Sequence, residues 1–419
     1  MIAALVVALL IPYLIVYFYR NAYKRPENFP PGPPSLPIYG AFWIVLAHGF
    51  TDLSTAFRKL GEKYKTNIVG CFMGPVPTIV VNDPALIKEV LNREEFDGRM
   101  DIILFRLRSF WKKLGIFFTD GYFWHVQRRF SLRYLRDFGF GRRDDTLESV
   151  VSTEIKEMLD MRVNGPKFPS EMKLVAETVE THDETYDRHF LDMYITKMKE
   201  EMNQKGRSTY SVDQLILTCT DYTFPAASAV GFVLAMLVER LLLQPEIQDK
   251  IHEEIDRVIG RDRLPNLDDR RNMHYLEACL RETMRFDTTV PLSVPHRAMK
   301  TTTLAGYDVP EGTMISTNLV MLHMDKELWG DPENFRPERF LKDGELDVSL
   351  DKSLPFGAGR RLCAGETYSR QTMFQVFSAF MQAFKVSTAD GKPLLKPSPR
   401  IQGIITTIPE FWVKVDIRK

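Results

Sequence analysis

Cysteine is scarce in this chain. Four residues, Cys71, Cys219, Cys279 and Cys363, serve 419 positions, and no two sit at CxxC spacing. So few thiols cannot build a disulfide scaffold. They argue against a zinc site made from cysteine pairs and make a reducing compartment the default. Net charge is missing too, since 55 Lys and Arg balance 55 Asp and Glu. Nucleic-acid-binding domains usually carry a basic excess, so the balance argues against a nucleic-acid partner. Neither an internal repeat nor a low-complexity tract is found. With 44% hydrophobic and 26% charged residues the composition is that of a globular protein, long enough to bury a large core without staples.

Charged side chains are also missing from residues 1–19, MIAALVVALLIPYLIVYFY. A helix of that length spans ~29 Å, close to the hydrocarbon thickness of a bilayer. Arg20, Lys24 and Arg25 follow the run, whereas a secretory signal would place its positive charge first. Residues 1–20 therefore read as a membrane anchor that leaves the body on the cytosolic side. Within the linker and entry segment 21–50, the stretch Pro30 to Pro37 holds five prolines, Pro30, Pro31, Pro33, Pro34 and Pro37, together with Gly32, and forms a stiff extended spacer. Residues 51–419 read as one domain.

Hydrophobic spacing predicts helices at 51–65, 84–93, 120–136, 145–161, 188–203, 212–243, 245–259, 273–286 and 364–385. Strand patterns occupy 67–71, 77–81, 303–309 and 403–417. The fold class is mainly α with small β-sheets. The 212–243 helix, if continuous, spans ~48 Å and crosses the whole domain.

The residues with chemical promise lie before the last helix, in Phe356-Gly357-Ala358-Gly359-Arg360-Arg361-Leu362-Cys363-Ala364-Gly365. Glycine permits a tight turn and close backbone approach to a bulky group. Cys363 stands at a helix N-terminus with Arg361 two residues away, which predicts a thiol lowered toward thiolate. Such a thiolate can be a nucleophile, a redox switch or a metal ligand. A nucleophile needs a base, and no histidine lies nearby in this segment. A haem iron ligand needs none. Here the sequence resembles the haem-binding loop of the cytochrome P450 family, F-x-x-G-x-R-x-C-x-G, at Phe356, Gly359, Arg361, Cys363 and Gly365. A chance match of five fixed positions is on the order of one in ten thousand.

Further segments are similar to the family in the right order. Glu282-Thr283-Met284-Arg285 resembles its ExxR, and Pro337-Glu338-Arg339-Phe340 its PERF motif. The resemblance implies a structural network of Glu282, Arg285 and Arg339, in which the i,i+3 pair shares a helix face. Trp124 and Arg128 match WxxxR, and His296 and Arg99 match positions that also bind haem propionates. The cofactor so implied is haem b (iron protoporphyrin IX), with Cys363 as its metal ligand. The basic run Arg128, Arg129, Arg133, Arg136, Arg142, Arg143 resembles the face that docks an acidic reductase, NADPH-cytochrome P450 reductase in the family. Segment 102–118 would line the pocket. The implied activity is a monooxygenase of the endoplasmic reticulum membrane, acting on a small lipophilic molecule.

Two departures stand out. Where the family's central helix carries an acid–alcohol pair that helps deliver protons to dioxygen, this chain has Ser228 and Ala229. Pro225 frees the carbonyl of Asp221 and is expected to open the helix there. The interval between Gly165 and Asp213 holds only 47 residues, where the family places three helices that roof the substrate. The join falls near 170–180. A spliced or misassembled chain, a natural minimal member and a repaired fold all stay open. So do two other functions: a haem-thiolate isomerase or dehydratase acting on a peroxide, and an inactive truncated isoform.

Overall fold

The computed structural model describes residues 10–13, 16, 24–36, 38–48, 52–142, 144–160, 178–183, 186–202, 208–392, 396–397, 400–403 and 405–418. Residues 10–13 and 16 of the expected anchor are helical, and the rest of it lies outside the described residues. Most of the expected join at 170–180 and Arg143 lie outside them too.

Helices dominate. After α1 (Phe42–His48) and α2 (Leu53–Tyr64), strands β1 (Ile68–Met73) and β2 (Val76–Val81) form a hairpin. Helix α3 (Pro84–Asn92) starts where Asp83 accepts the amides of Ala85 and Leu86 and Pro84 fills the first position, which needs no donor. Then come β3 (Gly98–Arg99), α4 (Ile103–Leu107), α5 (Gly121–Asp137), α6 (Asp145–Asp160), α7 (Phe190–Met202), α8 (Val212–Leu243), α9 (Pro245–Val258) and α10 (His274–Asp287). Strands β4 (His296–Arg297), β5 (Thr302–Leu304), β6 (Tyr307–Val309) and β7 (Met314–Thr317) follow, then α11 (Leu319–His323) and α12 (Lys326–Trp329). Last come β8 (Leu341–Lys342), β9 (Glu345–Leu346), α13 (Glu366–Ala383), β10 (Phe384–Thr388), β11 (Ile401–Gln402), β12 (Thr406–Thr407) and β13 (Val413–Ile417).

The principal sheet has the order β1-β2-β7-β4-β3, and only the β2–β7 pairing in it is parallel. Sequence reading misses its central strand β7, whose four residues are too few to show a period. The expected strand at 303–309 is a hairpin, β5–β6, turning at Ala305-Gly306 with both residues at positive φ. The segment expected at 403–417 divides into β12 and β13, and β13 pairs with β10.

The main core is a stack of four helices. Leu237 and Leu241 of α8, Ile251 and Ile255 of α9, Leu276 and Leu280 of α10, and Phe374 and Phe377 of α13 meet in it. A second cluster joins α5, α7 and the start of α8 through Phe130, Tyr194, Tyr210 and Leu215. Helix α8 begins at Ser211, whose hydroxyl accepts the Gln214 amide, and runs unbroken through Pro225. The expected opening is therefore not seen: both ends of the helix, up to Asp221 and from Val233, are packed, and losing one ladder bond between them does not break the rod. By length and apolarity α8 could cross a membrane, but Leu215 to Asp221 at one end and Val233 to Leu241 at the other contribute buried residues to the body. Its middle is different. No residue from Tyr222 to Phe232 is buried, and Phe224 is 65% exposed.

One fully buried carboxylate, Glu282, locks two arginines. Arg285 makes a two-pronged contact with Glu282 at 2.7 and 2.8 Å, and Arg339 reaches the same carboxylate at 3.0 Å. Glu282 and Arg285 have no solvent exposure. Arg285 also donates to the carbonyls of His323 and Pro332, tying α10 to α11 and to the loop beyond. Removing one member of a buried pair strands the other charge, at a cost of about 3–5 kcal/mol. Arg285→Ala should therefore lower the denaturant midpoint sharply, read by far-UV circular dichroism. An unchanged midpoint would contradict this role.

Candidate functional site

The Cys363 loop is built on close backbone packing. Gly359 has φ +66°, and a Cβ there would sit 2.2 Å from the Leu91 carbonyl oxygen at the end of α3. Only glycine lets these backbones approach. Gly365 is less constrained, for its added Cβ would meet nothing closer than 3.7 Å. The Cys363 amide donates to the Phe356 carbonyl at 2.9 Å, closing the loop, and the Arg370 guanidinium lies 4.8 Å from the centre of the Phe356 ring.

Cys363 is exposed. Its thiol is nevertheless pushed up from the usual range, because desolvation outweighs the amides of Gly365 and Glu366 and the charge of Arg128. This corrects the expectation of a lowered thiol and also the identity of its cation. Arg361 turns away, donating to the carbonyls of Asp97 at 2.8 Å and Thr119 at 2.9 Å. Arg128, donating to the Leu362 carbonyl, is the guanidinium whose charge acts on the thiol.

Five of the expected residues converge on one wall. The Trp124 ring has the Arg361 guanidinium 3.7 Å from its centre and that of Arg128 at 5.6 Å. Its indole Nε1 is buried with no hydrogen-bond partner among the described residues. Arg99 is buried, and its guanidinium touches the carbonyls of Phe117, Val294 and Pro295 at 3.3–3.5 Å. His296 pairs with Arg99 across the β3–β4 ladder, and its Nδ1 is 2.7 Å from the Phe96 carbonyl oxygen.

Burial depresses every cation of this wall, and like charge adds to it at Arg99, Arg361 and His296. Burial first, then Arg99, pushes Arg361 down to about 8, and burial pushes Arg99 down to about 10. Burial followed by Arg99 holds His296 well below its ordinary value. Against this excess stand Asp97 and Asp120. Asp120 accepts the Arg99 amide at 2.9 Å, Arg297 at 2.8 Å and Lys113 at 3.0 Å. Sequence reading missed Asp120, although its place just before α5 was a usable signal.

Ser228 and Ala229 lie on the unburied middle of α8, apart from that wall's contacts. The Ser228 hydroxyl donates to its own helix, to the Phe224 carbonyl at 2.8 Å. The missed residue here is Asp221. It is buried, and desolvation raises its carboxyl. It accepts the amides of Ile116 at 2.7 Å and Phe117 at 3.0 Å and pairs with Arg108. Gln214, two turns earlier, takes the Gly115 amide at 2.7 Å. These contacts pin the 102–118 segment, where Phe105 and Phe118 stack at 3.7 Å. On α5 the side chains divide by face: Arg129, Arg133 and Arg136 are exposed, and Trp124, Gln127 and Phe130 are buried.

Comparison with known proteins agrees with this geometry. The cytochrome P450 family profile matches residues 30–175 and 168–415. The chain belongs to the cytochrome P450 family. It is similar to the farnesoate epoxidase of Bombyx mori, 30% identical over 98% of this chain and 99% of that protein. It is also similar to cytochrome P450 2F2 of Mus musculus, 30% identical over 88% and 89% of the two chains, and to cytochrome P450 2E1 of Oryctolagus cuniculus, 28% over 93% of each. As a member of this family it is a haem-thiolate monooxygenase. The wall fits that cofactor: clustered guanidinium groups depress one another, and the buried Trp124 donor has no acceptor, so a dicarboxylate would satisfy both.

Asp221→Asn keeps the size and removes the charge. Hydrogen bonds to a charged group are worth about 1.5–3 kcal/mol, so amide exchange at Ile116 and Phe117 should rise roughly tenfold or more. Unchanged protection would show that the 102–118 segment is held by other contacts.

Proposed function

We propose that this P450 binds haem b with Cys363 as the axial thiolate, and that it inserts one oxygen atom of dioxygen into a small lipophilic substrate. Trp124, Arg128, Arg361, His296 and Arg99 hold the two propionates, and Phe356, Gly359 and Gly365 shape the loop. The single observation that carries this reading is the buried Trp124 Nε1, without an acceptor among the described residues, on an indole approached by two guanidinium groups of which one also acts on Cys363. Bound there, the haem supplies dioxygen activation; the protein's residues orient it, neutralise its carboxylates and exclude water from its proximal side.

Electrons come from NADPH through NADPH-cytochrome P450 reductase docking on the exposed Arg129, Arg133 and Arg136. The body, residues 51–419, sits on the cytosolic face of the endoplasmic reticulum membrane behind the 1–20 anchor and 21–50 linker. The chain lacks the roof segment of the family. Three findings support that reading: the profile matches in two pieces meeting at 168–175, the alignment with the farnesoate epoxidase runs over 494 residues against a chain of 419, and the middle of α8 is unburied.

Proton supply is the weak step. Ala229 has no hydroxyl, and Ser228 spends its proton on Phe224. This observation favours a second reading, a peroxide isomerase or dehydratase, which needs neither reductase nor relay. General acid help is commonly worth ~10²–10⁴ in rate. Reductase-driven turnover should therefore release mostly hydrogen peroxide, and Ser228→Glu with Ala229→Thr should raise product formed per NADPH consumed. Tight coupling in the unmodified chain would contradict this, and turnover only with added peroxide would favour the second reading.

The ligand assignment has its own test. Cys363→Ala should lose the thiolate-type Soret band of the reduced CO complex, and Cys219→Ala should keep it. Trp124→Phe should weaken haem retention by roughly tenfold or more, the worth of one charge-assisted bond. A retained thiolate band in Cys363→Ala would overturn the reading.

A further inference from the structure

Between the Glu282 network and the Cys363 loop stands one buried side chain, His323, the last residue of α11. It has no solvent exposure. Its main-chain carbonyl accepts Arg285 Nη1 at 2.7 Å. Its ring makes two further bonds, with Thr288 Oγ1 at Nδ1, 2.8 Å, and with the Leu354 amide at Nε2, 3.0 Å.

Donor accounting settles the ring's protonation. Burial and the adjacent Arg285 push the imidazole down to about 3, so it is neutral at physiological pH. An amide can only donate, so Nε2 is the acceptor for Leu354 and Nδ1 carries the proton. Nδ1–H then donates to the Thr288 hydroxyl, which donates in turn to the Arg285 carbonyl at 3.0 Å. Every donor has one acceptor, and the chain of bonds has a single direction.

Leu354 opens the cysteine loop. Its carbonyl accepts the Gly357 amide at 3.0 Å, in a turn that needs the positive φ of Gly357, and two residues beyond Leu354 the Phe356 carbonyl accepts the Cys363 amide at 2.9 Å. One end of the loop is thus tied through His323 to the most buried ion cluster of the protein, and the other end carries the sulfur.

We propose that His323 is a positioning residue: the bond from the Leu354 amide to its Nε2 sets the register of the 354–363 loop and so the place of the Cys363 sulfur. This rests on Cys363 being the haem ligand. Nothing in the P450 sequence motifs named above includes His323, and its role follows from the bonds on both sides of its ring.

Two near-isosteric variants separate the two ring atoms. His323→Gln can present an acceptor where Nε2 stood, and His323→Asn can present a donor only where Nδ1 stood. The first measurement is the reduced CO difference spectrum of the haem-loaded chain. His323→Gln should keep the thiolate-type band, and His323→Asn should lose most of it to a band of the non-thiolate type. The second measurement is amide exchange on the haem-free chain. Leu354, Gly357 and Cys363 should exchange about tenfold or more faster in His323→Asn and stay near the unmodified rate in His323→Gln.

Equal spectra for the two variants, whether both intact or both lost, would overturn the proposal. So would unchanged exchange at Leu354 in His323→Asn. If His323→Asn does not fold, the Gln variant decides alone: protection kept at all three amides supports the role, and protection lost overturns it. If the unmodified chain shows no thiolate band, the Cys363 assignment falls, and the exchange data still judge whether His323 holds the loop.

Discussion

The constraint on which the rest of the site depends is the burial of like charges together. Arg99, Arg128 and Arg361 are brought to one wall with His296, and burial depresses each of them. Guanidinium groups do not gather in a low-dielectric wall without a compensating anion. Asp97 and Asp120 supply part of the compensation. The remaining positive charge fits the carboxylates of the proposed haem. The elements that deliver the charges come from distant parts of the chain: β3, α5, β4 and the loop before α13. Folding of the body and loading of a dianionic cofactor are therefore coupled, because the ligand binds the folded arrangement and not the open chain.

The Glu282 network answers the same problem differently. There two arginines share one fully buried carboxylate, and the remaining donors reach main-chain carbonyls and, from Arg339, the Asp331 carboxylate at 3.2 Å. That cluster is internally satisfied and needs no ligand. One ion cluster is closed and structural, and the other is the one proposed to hold the haem carboxylates. Between them lies the cysteine loop, which takes its shape from the closed cluster and its chemistry from the open one.

Much of this was legible in the sequence. The bounds of α8 followed from hydrophobic spacing over 212–243, and the loop motif placed Cys363 just before α13. The i,i+4 spacing of Trp124 and Arg128 put both on one face of α5. Other features were not legible, for physical reasons. Strand β7 is too short to show a period, and α4 and α11, at five residues each, have the same difficulty. Asp120 and Asp221 act on amides and cations far away in sequence, which spacing cannot reveal. The Cys363 thiol moved against expectation because desolvation, a property of the folded surroundings, exceeds the local effect of the helix terminus.

The middle of α8 is unburied among the described residues, so under the proposed function haem is held mainly by the wall around Trp124 and the Cys363 loop. The direct measurement is the CO difference spectrum of the reduced, purified, unmodified chain, with haem content measured on the same sample. The account predicts haem bound in near-equal proportion to protein and a Soret band of the thiolate–CO type. A chain that takes up no haem, or one whose CO complex shows only a non-thiolate band, would contradict it.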